Sequence, residues 1–252
     1  MKPCRNEMIQ FYIENIAELT ELPATESGHC VRVLRKGMGD EIYCVDGKGH
    51  RYRCRITVPD PKRCGIQVLE REEFPPHWGA EITLCFAPTK NMDRMEWMAE
   101  KCTEMGIDRF VPVDCRHSER HVLKNERLHK ILVSAMKQSL KATLPSLEEM
   151  TPVKQVIADF DSIAGHPFEG EKYICYCSDE VERREFVREY TPGRDVAILI
   201  GPEGDFSAEE VRLAMEHGWV PVSLGKSRLR TETACLTAVC DVHCINQLNE
   251  QE

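Results

Sequence analysis

Two different periods run along this chain of 252 residues. Before residue 71 the chain has β character, with short strand-like runs and, in GHRYRCRITV, strict one-by-one alternation; from residue 80 onward, short apolar runs alternate with stretches whose apolar residues recur every three or four positions. The first pattern predicts strands at EIYCVD (41–46), GHRYRCRITV (49–58) and CGIQVLE (64–70). Asp46-Gly47, with Gly49 close behind, is a hairpin signal, and Pro59-Asp60-Pro61 separates the next pair. Short strands in succession suggest a small barrel. REEFPPHWG (71–79), with Pro75-Pro76 and no regular period, reads as a linker or an edge crossing.

The second pattern predicts strand and helix in turn. ITLCFAP (82–88) precedes NMDRMEWMAEKCTEMG (91–106), in which Met95, Met98, Cys102 and Met105 mark a helical stripe and Gly106 a stop. RFVPVDC (109–115) and a helical ERLHKILVSAMKQSL (126–140) follow, and VKQVIADF (153–160) fits either helix or strand. YICYCSD (173–179) predicts a strand with Cys175 and Cys177 on one face, and the charged EVERREFVREY comes next. VAILIGP (196–202), SAEEVRLAMEHG (207–218), VPVSLG (220–225) and TETACLTAVCDVHCINQLNE (231–250) complete the series. Apolar strands separated by amphipathic helices predict an α/β domain with a mostly parallel sheet covered on both faces.

Composition narrows the class. With 42% hydrophobic and 30% charged residues, no apolar run of membrane-spanning length and no apolar signal core at the N-terminus, the chain reads as a soluble cytoplasmic protein. Thirteen cysteines in so long a chain, without a signal segment, read as free thiols, and the absence of any CxxC pair argues against structural zinc. Charge is unevenly spread. Residues 1–78 balance twelve basic against twelve acidic side chains, so the net charge of −9 falls on the remainder. Within 28–63, nine Lys or Arg face four Asp or Glu, and Arg51, Arg53 and Arg55 must share one strand face, with Tyr52, Cys54 and Ile56 on the other. The commonplace reading of such a row is a solvated face; the functional reading is a set of phosphate contacts.

Two loops carry candidate chemistry. In IGPEGDFSAEEV (200–211), Gly201 and Gly204 permit close backbone approach, while Ser207 and Glu210 fit a capping box. Glu203 and Asp205 argue against a phosphate site and suit a ligand with hydroxyls or positive charge; neither GxGxxG nor GxxxxGK[ST] occurs. In VPVSLGKSRLRTETACLTAV (220–239), a glycine-started polar loop joins a strand to a helix. Both loops fall at carboxyl ends of strands, where ligands bind in such sheets.

Together, GPEGDFSAEEV and VSLGKSRLRTETA resemble the two signature loops of the bacterial 16S ribosomal RNA uracil-N3 methyltransferases, of the SPOUT superfamily. HCVRVLRKGMGDEIYCVDGKGH (29–50), KNMDRMEWMAEKCTEMGI (90–107), FVPVDCRHSER (110–120) and AMKQSLKATLP (135–145) match in order. The resemblance implies a PUA-like RNA-binding β-barrel over 1–74, a SPOUT α/β domain with a deep trefoil knot over 79–252, and a homodimer without membrane association. It implies S-adenosyl-L-methionine bound by Ile200, Gly201, Glu203, Gly204, Leu224, Gly225, Leu229 and Thr231, with no metal. It further implies a 16S rRNA substrate in the small ribosomal subunit or its late assembly intermediate, contacted by Arg32, Arg35, Arg51, Arg53, Arg55, Lys137 and Lys141. The chain departs from the family where relatives commonly have Glu-Gln-Ser-Gly-Arg and this one has Lys137-Gln138-Ser139-Leu140-Lys141. It departs again at Asp205, where a second glycine is frequent, and in the last loop, where Lys226 and Ser227 replace a Gly-Pro start and an Ile usual further on is missing.

Methyl transfer to uracil N3 needs proximity and a way to handle the N3 proton. Because the cofactor supplies the electrophile, the protein has to accept a proton or stabilise the developing anion. Arg94, Arg230 and Glu232 are the candidates, arginine because it stays charged when partly desolvated. Glu232 has an equal claim as a first-turn carboxylate attracted by exposed backbone N–H groups. Two other readings stay open: a non-catalytic RNA-binding or ribosome-assembly protein, and a SPOUT methyltransferase acting at another RNA position.

Overall fold

The computed structural model describes residues 9–76, 79–178 and 180–250. These fall into two compact units: the residues up to 76 together with Val133–Leu144, and residues 79–132 together with 145–250.

In the first unit, β1 (Gln10–Tyr12) pairs in parallel with β2 (Glu41–Val45), which continues antiparallel into β3 (His50–Val58) and β4 (Gly65–Glu73). A short helix α1 (Ala24–Gly28) runs into one π-helical turn, His29–Val33, between β1 and β2. The tight β2–β3 connection is held by Asp46, whose Oδ1 accepts from Lys48 N at 2.7 Å and His50 N at 3.2 Å, while Gly47 takes the positive φ that the turn requires. Alternation along β3 is as the spacing demands: Tyr52, Cys54 and Ile56 are buried with Phe11, Ile13 and Ile42, and the arginines turn outward. The segment 71–79 is not wholly a linker. Arg71–Glu73 extend β4 opposite His50–Tyr52, because charged side chains fit an exposed ladder as well as a loop; His77 and Trp78 lie outside the described residues. Val133–Leu144 belongs with this unit through Met136 and Ala142, which pack on Val45, and through Gly49 N to Ala142 O at 3.0 Å and Leu144 N to Gly47 O at 2.9 Å.

The second unit is a parallel sheet in the order β10-β12-β9-β11-β5-β6-β7, with β8 also on β6. Its strands are β5 (Ile82–Phe86), β6 (Arg109–Asp114), β7 (Ser146–Leu147), β8 (Thr151–Pro152), β9 (Glu171–Cys175), β10 (Arg184–Glu185), β11 (Val196–Ile200) and β12 (Val220–Ser223). β5 and β11 are buried at every position, which only a sheet covered on both faces permits. Its helices are α2 (Met92–Met105), the first part of α3 (Asn125–Gln138), which runs on into the first unit from Val133, and α4 (Val153–Ala158), α5 (Phe160–Ala164), α6 (Phe186–Glu189), α7 (Ala208–Glu216) and α8 (Thr231–Asn249). α2 starts at Asn91, whose side chain accepts from Asp93 N, and stops at Gly106 in the left-handed conformation. It buries Met95, Met98 and Cys102 and packs on α8. Elsewhere in this unit Trp219, Phe160, Val211, Ile174 and Leu199 form one apolar cluster. Residues 153–158, open between helix and strand by sequence, are helical. No helix among the described residues is long and apolar enough to cross a membrane.

Cys175 and Cys177 do not share a strand face. β9 ends at Cys175, and the backbone N–H of Cys177 leaves the ladder to donate to Asp205 Oδ2 at 3.0 Å. Cys177 is therefore an exposed loop residue. The described cysteines are all free thiols, and those at 0% exposure, such as Cys54, Cys85 and Cys235, pack as small apolar side chains.

Candidate active site

The carboxyl ends of β9, β11 and β12 lie side by side in the sheet, and the loops leaving them enclose a cavity of about 920 Å³. Ile200 and Gly201 line it from β11, Leu224 and Gly225 from β12, and Leu229, Arg230 and Thr231 from the approach to α8. Glu203 also lines it, whereas Gly204 does not: the place of its missing Cβ lies 3.0 Å from the Cβ of His117, so this glycine serves close packing of one loop on another. Gly201 is equally confined, with the ring of Phe206 at 3.0 Å from a built Cβ. Gly225 has open space around it but a φ of 112°, which an L side chain rarely adopts.

The loop after β11 is fixed by polar contacts. Ser207 and Glu210 form the expected capping box at the start of α7, and buried Glu210 also accepts from Arg116 N at 2.8 Å, tying this loop to the one after β6. Asp205 has a φ of 61°. Asn and Asp tolerate that left-handed conformation better than other side chains, so an aspartate can hold this position. Its backbone oxygen takes the His117 ring at 3.0 Å; its carboxylate accepts from Phe206 N and Cys177 N. Burial raises the Asp205 carboxyl above the ordinary range, against the pull of those two N–H donors and of Arg228 and Arg183. At the other side of the cavity, Thr231 Oγ1 donates to Gly201 O at 3.1 Å, joining α8 to the end of β11.

Arg94 and Glu232 meet. Arg94 leaves the first turn of α2 and reaches Glu232, in the first turn of α8, at 3.3 Å; the arginine side chain is 44% exposed and the carboxylate 10%. Neither lines the cavity, whereas Arg230, the residue preceding α8, does. Of the residues expected to act in chemistry, two therefore form a pair and the third faces the cavity. Sequence reasoning passed over Arg183 and Arg228 as functional candidates, although Arg228 stood in the quoted loop, and it missed Cys177, which also lines the cavity. Arg183 Nη1 donates to Tyr176 O at 2.9 Å. Its short charged run carried no period from which a position could be read.

The expected RNA contacts belong to the first unit and have varied surroundings. Arg32 and Arg35 are exposed, Arg35 with a φ of 54°. Arg51, Arg53 and Arg55 do share a face, but each is ion-paired there: Arg51 with Glu72, Arg53 with Glu41 and Glu70, and Arg55 with Glu41. Arg51 also lies over the rings of Phe74 and Tyr43, at 4.5 and 5.4 Å. Lys137 pairs with Glu26, and the backbone oxygen of Lys141 accepts from Gln10 Nε2.

Residues 76–242 match the RNA methyltransferase domain model, and residues 22–69 match the RNA methyltransferase PUA domain model. The chain belongs to the RNA methyltransferase family. A crystal structure from Porphyromonas gingivalis described as a probable rRNA-methyltransferase is 42% identical, with a TM-score of 0.90 over 96% of this chain and 100% of that one. A ribosomal RNA small subunit methyltransferase E from Neisseria gonorrhoeae, solved with S-adenosyl methionine, is 25% identical, with a TM-score of 0.79 over 95% and 98%. The Bacillus subtilis protein of that name is 27% identical across 85% of each chain. For this methyltransferase, the two loops quoted from the sequence are thus the two that border its cavity.

Proposed function

We propose that this protein transfers a methyl group from S-adenosylmethionine to N3 of one uracil in the 16S rRNA of the small ribosomal subunit. The observation that carries the reading is the cavity at the adjoining ends of β9, β11 and β12, bordered by the backbone of Gly201 and Gly225 and by Arg230. The donor set fits the cofactor: Ile200, Leu224 and Leu229 would offer apolar contact to an adenine ring, and the backbone groups at Gly201 and Gly225 would offer hydrogen bonds to its edge. When bound, S-adenosylmethionine supplies an electrophilic methyl group on a sulfonium. The relatives from B. subtilis and N. gonorrhoeae carry the rRNA substrate in their names, and the latter holds this cofactor.

The protein's own contribution is positioning and charge. Arg94 would stabilise the uracil anion as the N3 proton leaves, its guanidinium held in place by Glu232. Because its carboxylate already holds Arg94, Glu232 acts as an orienting group for that arginine, and Arg230, which lines the cavity, would add a second positive charge. On this reading the segment 225–231 forms part of a trefoil knot through which α8 passes, the first unit closes as a PUA-like barrel, and two chains assemble into a homodimer in the cytoplasm. Arg32 and Arg35 make the first phosphate contacts, and Arg51, Arg53, Arg55, Lys137 and Lys141 join only by exchanging protein partners for phosphate. The substrate is the small subunit late in its assembly. The deciding experiment maps RNA modifications in a strain lacking the protein. Loss of one N3-methyluridine, restored by the wild-type gene, is expected; an unchanged map of 16S rRNA overturns the reading.

A further inference from the structure

Asp205 and Arg228 bring opposite charges to the cavity. They are on different loops, after β11 and after β12, yet both line the same cavity, and Arg228 is the larger of the two cationic influences on the Asp205 carboxylate. The second is Arg183, on the loop after β9. Among the cavity's carboxylates Asp205 is the most withdrawn from solvent; Glu185 and Glu203 are exposed. Both of its oxygens are fixed by backbone donors, at 2.8 Å from Phe206 N and 3.0 Å from Cys177 N. A carboxylate oxygen has two acceptor positions, so each keeps one for a ligand.

Asp205, Arg228 and Arg183 therefore present one negative and two positive groups on three separate loops around one space. A ligand bearing an ammonium and a carboxylate on one carbon matches that arrangement, because each of its charges finds a partner and neither is desolvated alone. We propose that Asp205, with Arg228 and Arg183, forms a subsite for the α-amino-acid end of the bound nucleoside: the ammonium donates to Asp205, and the carboxylate accepts from Arg228, with Arg183 anchored behind it on Tyr176 O. The proposal rests on the reading of the cavity as an S-adenosylmethionine site and adds which end of the ligand these side chains hold. His117 and Cys177 are the other titratable groups in contact with Asp205, and neither supplies a charge that could replace it: His117 gives a ring nitrogen to the Asp205 backbone oxygen, and the Cys177 thiol is raised by burial and by Asp205 itself.

Calorimetry with three probes separates the parts. S-adenosylmethionine and S-adenosylhomocysteine carry the amino-acid end, and 5′-methylthioadenosine lacks it. In the wild-type protein the first two should bind more tightly than the third. Asp205→Gly, which keeps the backbone conformation unstrained, and Arg228→Ile should each weaken the first two by roughly tenfold or more while leaving 5′-methylthioadenosine within about threefold. Asp205→Asn should resemble Asp205→Gly, since it too lacks the charge. Equal losses for all three probes, or none, would overturn the subsite while leaving the cofactor reading intact. A loss confined to S-adenosylmethionine would overturn it in favour of a contact to the sulfonium. If the wild-type protein binds none of the three, the subsite and the reading of the cavity fall together.

Discussion

The arginines of β3 and those beside the cavity are the same residue type in opposite situations. On β3 the strand register places Glu41 opposite Arg55, Glu70 opposite Arg53 and Glu72 opposite Arg51, so the row is a cross-strand ionic ladder. In the second unit Arg228 and Arg230 leave an extended loop and make no ion pair among the described residues. Each position on a central strand faces its neighbours on both sides, and opposite charges settle there for up to about 1 kcal/mol per pair. A loop at the end of a parallel strand has no such neighbour. Its charges stay available to a ligand, which is a physical reason for function to gather there.

The largest effect is expected at Arg94, which is ion-paired like the β3 arginines but stands in the first turn of α2 beside α8. Arg94→Gln should lower single-turnover methylation at saturating RNA and cofactor by roughly 100-fold, the scale for removing one preorganised charge from an active site, with both affinities within about threefold. Glu232→Gln should lower it less, by about tenfold, because the arginine remains but is less well held. Single-turnover rates and separate affinities for both variants check this. Loss of binding in step with rate would make the pair a structural tie between α2 and α8.

A second test bears on the ladder itself. Replacing Arg51, Arg53 and Arg55 by Gln together with Glu41, Glu70 and Glu72 leaves the face with unchanged net charge. RNA affinity should then stay within about threefold of wild type, whereas Arg32→Gln with Arg35→Gln should weaken it and lower the salt slope by about two units, near one per lost phosphate contact. Titrations at two salt concentrations distinguish the cases. If the six-residue variant loses affinity and slope as well, the ladder opens for RNA and the contrast with the cavity fails.

Much of this was legible from residue order. Period two placed Tyr52, Cys54 and Ile56 inside and the arginines outside, and the capping box at Ser207 and Glu210 fixed the start of α7, because both are local rules. What spacing could not reveal was partnership. Glu41, Glu70 and Glu72 are 12 to 21 residues from the arginines they meet, and the pairing of Arg94 with Glu232 depends on α2 and α8 packing together. The same limit explains Val133–Leu144, whose first part the period reads as the end of a helix over 126–140 and whose allegiance is set by hydrogen bonds to Gly47 and Gly49. It also explains Cys177. A strand pattern continues through it in sequence, but Asp205, nearly thirty residues on, draws its N–H out of the ladder.

A smaller effect sharpens the role of loop geometry. Gly225→Ala adds a side chain with room around it, so any penalty comes from the backbone at a φ of 112°. It should destabilise the protein by about 1–2 kcal/mol and weaken cofactor binding through a displaced loop. Gly39→Ala, at a φ of 88° in the first unit and likewise unobstructed, should cost about the same stability and leave cofactor affinity alone. Thermal melts and calorimetry on both variants separate the shared backbone penalty from the binding effect.

The smallest effects concern carboxylates whose surroundings differ in the same way. Burial beside Glu81 and Asp195 pushes the Asp108 carboxyl up to about 6, although it accepts from Ile82 N at 2.8 Å; on the exposed ladder, hydrogen bonds from Arg53 and Arg55 hold Glu41 below its ordinary range. The two signs of linkage are opposite. Asp108 binds its proton more tightly when folded, so its contribution is fully present below the carboxyl value of the unfolded chain, roughly 4, and is lost as pH rises to about 6. Glu41 contributes above the unfolded glutamate value and loses that contribution as pH falls through its lowered one. Asp108→Asn, which keeps an acceptor for Ile82 N, should therefore raise the melting temperature at pH 7 and have least benefit at pH 4. Glu41→Gln should lower it slightly at pH 7, and the difference from wild type should shrink in acid. Melting curves for both variants at pH 4, 5.5 and 7 test the pair of signs, and parallel shifts at all three values would show that neither carboxylate's proton is linked to folding.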